Sequence, residues 1–298
     1  MTSAGSDSSE SADSREGLMG IVDNYLDALV THDPAAVPIA PDAAFVENLE
    51  RKPPGEGLWR TASQAPNSFK IYVPDPVTGQ VGFLGHMQAN GDPLLLGLRL
   101  AVEDGQLTEM EHLIATDETE TLGELETPRP AFREPVPPEE RNTREEMLSI
   151  AASYYDALAE DDGSLAPFAE DSVRFENGMQ RSDNPSSPEA DPADVLRTLS
   201  TPKQLDCGSM SYIERIEPRR VDIADVETGL VCGLSHFRHP MEETTLDIEG
   251  VPGVETVERD YDPFDLPALH VFKVYGGQIH EIEAMGFLTD YDAPTGWE

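Results

Sequence analysis

The chain has 298 residues, enough for one large or two ordinary domains, and its 58 Asp and Glu against 20 Lys and Arg leave a net charge of −38. That balance argues against nucleic acid or an anionic membrane surface as a partner, since both repel a carboxylate-rich protein. The two cysteines, Cys207 and Cys232, are too few for a disulfide framework, and a hydrophobic content of 38% is too high for a wholly disordered chain.

Residues 1–14, MTSAGSDSSESADS, read as a disordered acidic tail without the basic start and apolar stretch of a secretion signal, so the expected location is the cytoplasm. The acidity fits a salt-rich cytoplasm, where ions screen carboxylate repulsion. On that reading the protein loosens in dilute buffer, and a circular dichroism spectrum unchanged between molar and millimolar KCl would count against it.

Next, Leu18, Ile21, Val22, Tyr25, Leu26 and Leu29 recur at three- and four-residue spacing, which predicts a helix stopped at His32-Asp33-Pro34. A strand carrying Glu47-Asn48 follows, then a short helix begun by Trp59, then strands at about 69–74, 80–88, 94–102 and 107–115. Residues 117–141, with Pro128, Pro130, Pro135, Pro137 and Pro138, read as a linker. The pattern then restarts. Met147, Ile150, Ala151, Tyr154, Tyr155 and Leu158 form a second helical stripe, ended at Asp161-Asp162-Gly163. A strand with Glu176-Asn177 comes next, then strands at about 210–223, 228–238, 267–275 and 278–288.

This recurrence is a duplication. Residues 24–48 align on 153–177 at an offset of 129, with 10 of 25 positions identical. Residues 75–86 align on 225–236 at offset 150, and 105–111 on 277–283 at offset 172. The order is kept while the offset grows, so the second copy carries insertions of 21 (150 − 129) and 22 (172 − 150) residues. A helix followed by a run of strands, twice over, predicts the α+β class.

The stretches YLDAL, APD and ENLERKPPGEGLWRTA, followed by four strands, resemble SnoaL-like proteins of the nuclear-transport-factor-2-like superfamily. In the second copy, RFENGMQ, ALHVFKVYGGQIHEIEAMGF and YDAPTGW are similar to a SnoaL-like domain family. The resemblance implies two tandem cone-shaped domains, 15–116 and 142–298, each with N-terminal helices on a curved, mostly antiparallel sheet. A pocket lies between helices and sheet, and the two sheets pack as an internal pseudo-dimer. It does not imply a reaction, because this scaffold hosts isomerases, cyclases, lyases, dehydratases, hydrolases and binders without catalysis.

Candidate residues come from strand alternation. Leu230, Cys232, Leu234 and His236 share a face, as do Gly82, Leu84 and His86 in the first copy, so His236 is a candidate acid or base. The competing reading is a hydrogen-bonded structural histidine. Glu281 and Glu283 lie two apart on one strand face, where apolar neighbours would raise a carboxylate's pKa and suit Glu283 to proton transfer; the competing reading is two salt-bridged or solvated acids on a partly exposed strand. Tyr212 is a candidate oxyanion donor, against the commoner packing role. Asn177, Arg215 and His270 join Glu281 as candidate substrate contacts. Arg215, Arg219 and Arg220 could equally neutralise Glu214, Glu217 and Asp222.

His236 and His239 stand three apart on a strand and point to opposite faces, so no metal is expected, nor any other cofactor. The expected function is a cofactor-independent lyase or isomerase acting on a small, partly apolar metabolite in the second copy's pocket. The alternative is a small-molecule binder or scaffold without chemistry. Convergent polar groups in a second-copy pocket and a filled first-copy core would favour the enzyme.

Overall fold

A computed structural model describes residues 14–116, 122, 125–187 and 191–298; the expected tail at 1–13 and linker residues 117–121, 123 and 124 lie outside the described residues. Helix α1 (Arg15–Thr31) is capped by Ser14, whose hydroxyl accepts from the Gly17 amide at 3.0 Å, and it buries Leu18, Val22, Tyr25, Leu26 and Leu29. His32 ends it in the left-handed conformation. Then come β1 (Ile39–Glu47), β2 (Glu50–Arg51), α2 (Leu58–Thr61), β3 (Ala62–Gln64), β4 (Lys70–Asp75), β5 (Gln80–Ala89), β6 (Asp92–Glu103) and β7 (Gln106–Thr116).

The second unit opens on α3 (Arg144–Ala159), whose Thr143 and Glu146 form a reciprocal capping box. It continues with β8 (Phe168–Glu176), β9 (Met179–Gln180), α4 (Pro192–Leu196), α5 (Thr201–Leu205), β10 (Arg215–Asp225) and β11 (Leu230–His239). A hairpin of β12 (Thr245–Asp247) and β13 (Thr256–Glu258) precedes β14 (Phe264–Tyr275), β15 (Gln278–Gly286) and β16 (Thr289–Asp290).

The sheets have matching orders, β2-β1-β7-β6-β5 and β9-β8-β15-β14-β11-β10, with β4 on β5 standing where β10 stands on β11. Neighbours are antiparallel except β1 with β7 and β8 with β15, which are parallel. This explains the repeated Glu-Asn. Asn48 donates to the Ile114 carbonyl at 3.2 Å and accepts from its amide at 2.7 Å. Asn177 makes the same two bonds to Gly286, both at 3.0 Å. Each asparagine clasps the end of a parallel pair in which no hairpin turn joins the strands. Both insertions add structure in the second unit: α4 and α5 in one, the β12–β13 hairpin in the other. In the first unit, β5 runs into β6 through Asn90-Gly91 alone.

Each unit has its own apolar core, around Tyr25, Phe83 and Leu98 in the first and around Tyr154, Tyr155 and Phe272 in the second. A third core lies between the sheets, where Ile71, Val73, Leu84 and Leu95 meet Ile223, Cys232, Leu234 and Leu269. Its contacts are those of a pseudo-two-fold axis. Arg15 of α1 pairs with Asp225 at 2.9 Å, and its counterpart Arg144 (15 + 129) pairs with Asp75, the counterpart of Asp225 (75 + 150), at 2.8 Å. On the axis, equivalent residues face each other, as an isologous contact requires. A Cβ on Gly82 would stand 2.6 Å from the sulfur of its counterpart Cys232, and one on Gly97 would stand 3.2 Å from its counterpart Leu269. The two sheets thus meet face to face through this third core.

The described part of the linker packs closely. Phe132 and Val136 are buried, and Lys273 donates to the Glu134 carbonyl at 2.8 Å. Among the described residues no helix is long and apolar enough to cross a membrane.

Candidate functional site

Between α3 and its sheet the second unit encloses a cavity of about 570 Å³, walled by Leu158, Met210, Phe237, Phe264, Leu266 and Ala268 among others. Sequence differences at equivalent positions give this cavity its polar groups. Arg174, His239 and His270 reach the cavity where the first unit has Phe45, Ala89 and Leu98. The first unit's interior is packed by Trp59, 1% exposed and edge-on to Tyr25 at 5.1 Å.

The recurring glutamate is used differently in the two units. In the first, Glu47 is 3.1 Å from His112 Nδ1, 3.1 Å from Lys52 and 2.9 Å from the Leu58 amide, while His112 Nε2 meets the Tyr25 hydroxyl at 2.9 Å. Burial opposes its ionisation, but His112, Leu58 and Lys52 outweigh burial and hold it at about 2. In the second, Ala284 replaces His112 and opens space, and Glu176 pairs instead with Arg174 at 2.8 Å and Arg181 at 3.3 Å. Here too burial pulls the carboxyl up, and Arg174 and Arg181 reverse the effect, leaving it below its ordinary value. Arg174 is buried and also donates to Gln204 at 2.8 Å and Tyr154 at 3.3 Å, which fixes its guanidinium in the floor.

Two histidines line this space. His270 sits among the rings of Tyr155, Tyr154, Phe272 and Phe237 at 5.4, 5.6, 5.7 and 5.8 Å. His239 is stacked between Phe264 at 4.2 Å and Tyr212 at 5.1 Å. Burial pushes each imidazole down to about 4, so both are neutral near pH 7, and neither Nδ1 has a hydrogen-bond partner among the described residues. Burial likewise raises Tyr212, keeping its hydroxyl protonated.

The mouth belongs to the insertions. Leu196 and Cys207 from one, and Leu246, Ile248, Val254 and Val257 from the other, form a separate apolar cluster that holds the two together. From them Arg197, Arg259 and Asp262 line the cavity, joined by Arg181, the counterpart of Lys52 (181 − 129) just after β9. With Arg174, this makes four of the chain's 16 arginines (20 cations less Lys52, Lys70, Lys203 and Lys273) around one cavity, in a protein of charge −38.

Of the residues singled out from sequence, Tyr212 and His270 line the cavity, as does Asn177, although the Asn177 amide is engaged with Gly286. The other four stand elsewhere. Leu230, Cys232, Leu234 and His236 do share a face, but Leu230, Cys232 and Leu234 pack in the core between the sheets, so the cavity receives Phe237 and His239. His236 lies 3.2 Å from Asp265, which also pairs with Arg238; burial and Arg238 lower its pKa against the pull of Asp265. Glu281 and Glu283 share the sheet face turned away from α3 and are both held by Arg129 of the linker, at 2.5 and 2.6 Å. Burial does raise Glu283, to about 7 despite Arg129, yet the carboxyl has no access to the cavity. Arg215 pairs with Glu214 and Asp292 at the surface, and Arg220 reaches across to Glu111 at 2.5 Å. Arg219 pairs with Asp156, so of the expected partners Glu214, Glu217 and Asp222 only Glu214 is paired with these arginines among the described residues.

Sequence reasoning missed Arg174, Glu176, His239 and Arg259. For the first two a signal existed, since Arg174 and Glu176 alternate on one strand face and Glu176 repeats Glu47.

A family model described as a domain of unknown function, DUF8021, matches residues 11–114 and 140–286, well over half the chain. The chain belongs to this family. The two DUF8021 segments coincide with the two units, as a tandem duplication requires. No curated protein matches. Among solved structures, the chain is similar to a candidate polyketide cyclase from Silicibacter sp. tm1040, with 16% identity, a TM-score of 0.31 and coverage of 48% of this chain and 90% of that one. A candidate SnoaL-like polyketide cyclase from Jannaschia sp. CCS1 gives 13%, 0.29, 51% and 89% on the same measures. A candidate isomerase from Bacillus subtilis gives 11%, 0.27, 49% and 89%. Each neighbour spans about half of this DUF8021 chain.

Proposed function

We propose that the second unit is a cofactor-independent acid–base enzyme of lyase or isomerase type, acting on a small, partly apolar carbonyl compound, with the first unit as its structural half. The observation that carries this reading is the pair of buried, neutral imidazoles in an apolar cavity edged by arginines, opposite a first unit whose equivalent interior is packed shut. An acidic C–H bond beside the carbonyl breaks, its proton goes to His270, and its electron pair moves to the carbonyl oxygen as an enolate. The Tyr212 hydroxyl and the Arg174 guanidinium are the donors suited to that oxygen. Return of the proton to another carbon gives an isomer; departure of a group from the β-carbon gives a lyase.

Free His270 is a weak base because burial lowers it; Glu176 pulls it back up, and Arg174 offsets part of that pull. An anion bound beside Arg174 opposes that field and raises the imidazole towards its ordinary value, so the base is strengthened when substrate arrives.

The test is deuterium wash-in, followed by proton NMR, on a panel of small ketones and 2-oxo acids in D₂O with molar KCl. The expected result is protein-dependent exchange beside the carbonyl. Because His270 is lowered to about 4, its basic form persists above that pH and is lost as pH falls through it. The kcat/KM profile should thus stay level from about pH 8 down to about pH 5 and then drop, rather than fall below an ordinary histidine pKa of about 6.5. Ligands that raise the melting temperature with no exchange in any of them would leave a binding protein instead.

A further inference from the structure

The arginines at the mouth differ in what already holds them. Arg174 and Arg181 share Glu176, and Arg197 is tied to Asp194 at 2.9 Å. Arg259 lines the same cavity with no ion-pair partner among the described residues, although the chain has 58 acidic side chains. Its guanidinium lies 5.8 Å from the Tyr212 ring centre, and Asp262, three residues on, lines the cavity without pairing to it. Arg259 is carried by the segment after β13, within the insertion between β11 and β14 that the first unit lacks. A guanidinium without an ion-pair partner among the described residues, lying over an aromatic ring at the rim of an apolar cavity, has the two-pronged donor geometry that fits a carboxylate.

We infer that Arg259 is a specificity-determining residue that takes the terminal carboxylate of the substrate, whose apolar body lies along Phe237, Phe264 and Leu266. The substrate class is a small carboxylic acid with an apolar chain, and the second insertion is what makes the unit select it. This rests on the cavity being the ligand site of the proposed enzyme, and it narrows the panel of carbonyl compounds to those bearing a carboxylate.

The experiment compares matched acid and amide probes, 4-phenylbutanoate and 4-phenylbutanamide, by isothermal titration at one fixed KCl concentration. Wild-type protein should bind the acid at least tenfold more tightly than the amide. Arg259→Met should erase that preference while leaving the amide's affinity within about threefold, and Arg259→Lys should restore part of it. Three results would overturn the inference: an amide bound as tightly as the acid, a preference that survives Arg259→Met, or an acid that does not bind. Failure here is separable from failure of the enzymatic reading, because neutral ketones in the wash-in panel report on His270 whatever Arg259 selects.

Discussion

Replacing Asp75 by Ala should destabilise the whole molecule by about 3 kcal/mol, although Asp75 is remote from the cavity. Asp75 is fully buried; its carboxylate accepts from Arg144 at 2.8 Å, from the Ala224 amide at 3.1 Å and from the Val77 amide at 3.1 Å. Truncation leaves a guanidinium and an amide of the opposite unit without their acceptor, and removal of one partner from a buried pair costs about 3–5 kcal/mol. The lower end applies because Arg144 is 22% exposed and keeps its bond to the Asp222 carbonyl at 2.6 Å. The pseudo-symmetric change Asp225→Ala should cost a similar amount, since it strips Arg15 and Thr228 of their acceptor. Urea melts in constant molar KCl measure both. A loss below about 0.5 kcal/mol in each, the size of an exposed pair, would mean that the exchanged arginines do not hold the two units together.

His270→Ala carries the largest expected effect on chemistry. Removing a general base costs roughly 10²–10⁴-fold in rate, so wash-in should fall by at least a hundredfold while binding of 4-phenylbutanoate changes little. His270→Gln, which fills more of the aromatic surround, separates loss of the base from loss of packing. The contrasting variant is His236→Ala. Its imidazole faces the first sheet and bonds to Asp265, so the account expects thermal stability to drop and the exchange rate per folded molecule to stay within about twofold. Equal rate losses for the two variants would place the base elsewhere.

The duplication was legible because alignment survives where backbone bonds are shared: Asp75 with Asp225, and Asn48 with Asn177. The orientation of each strand was not. From Leu230 to His239 every residue is buried, since one face meets α3 and the cavity while the other meets the first sheet. Alternation therefore offers no contrast between inside and outside, and a one-residue error in the choice of face exchanges His236 for His239. Glu281 and Glu283 fell to the same ambiguity. His270 escaped it because β14 presents His270 on the helix-facing side. The mouth was hidden for a different reason. Arg197 and Arg259 sit on the insertions, where no periodicity relates them, and they converge only when α4, α5 and the β12–β13 hairpin pack through Leu196, Leu246 and Val257.

The central claim is an asymmetric pair, one unit open for a ligand and its twin closed by its own side chains. A crystal structure of the protein with 4-phenylbutanoate in molar KCl tests it most directly. The account predicts one ligand per chain, its carboxylate on Arg259 and its ring within reach of His270, with Trp59 still packed against Tyr25 in the first unit. Ligand lodged in the first unit with Trp59 displaced, or bound between the sheets beside His236 and Glu283, would contradict it.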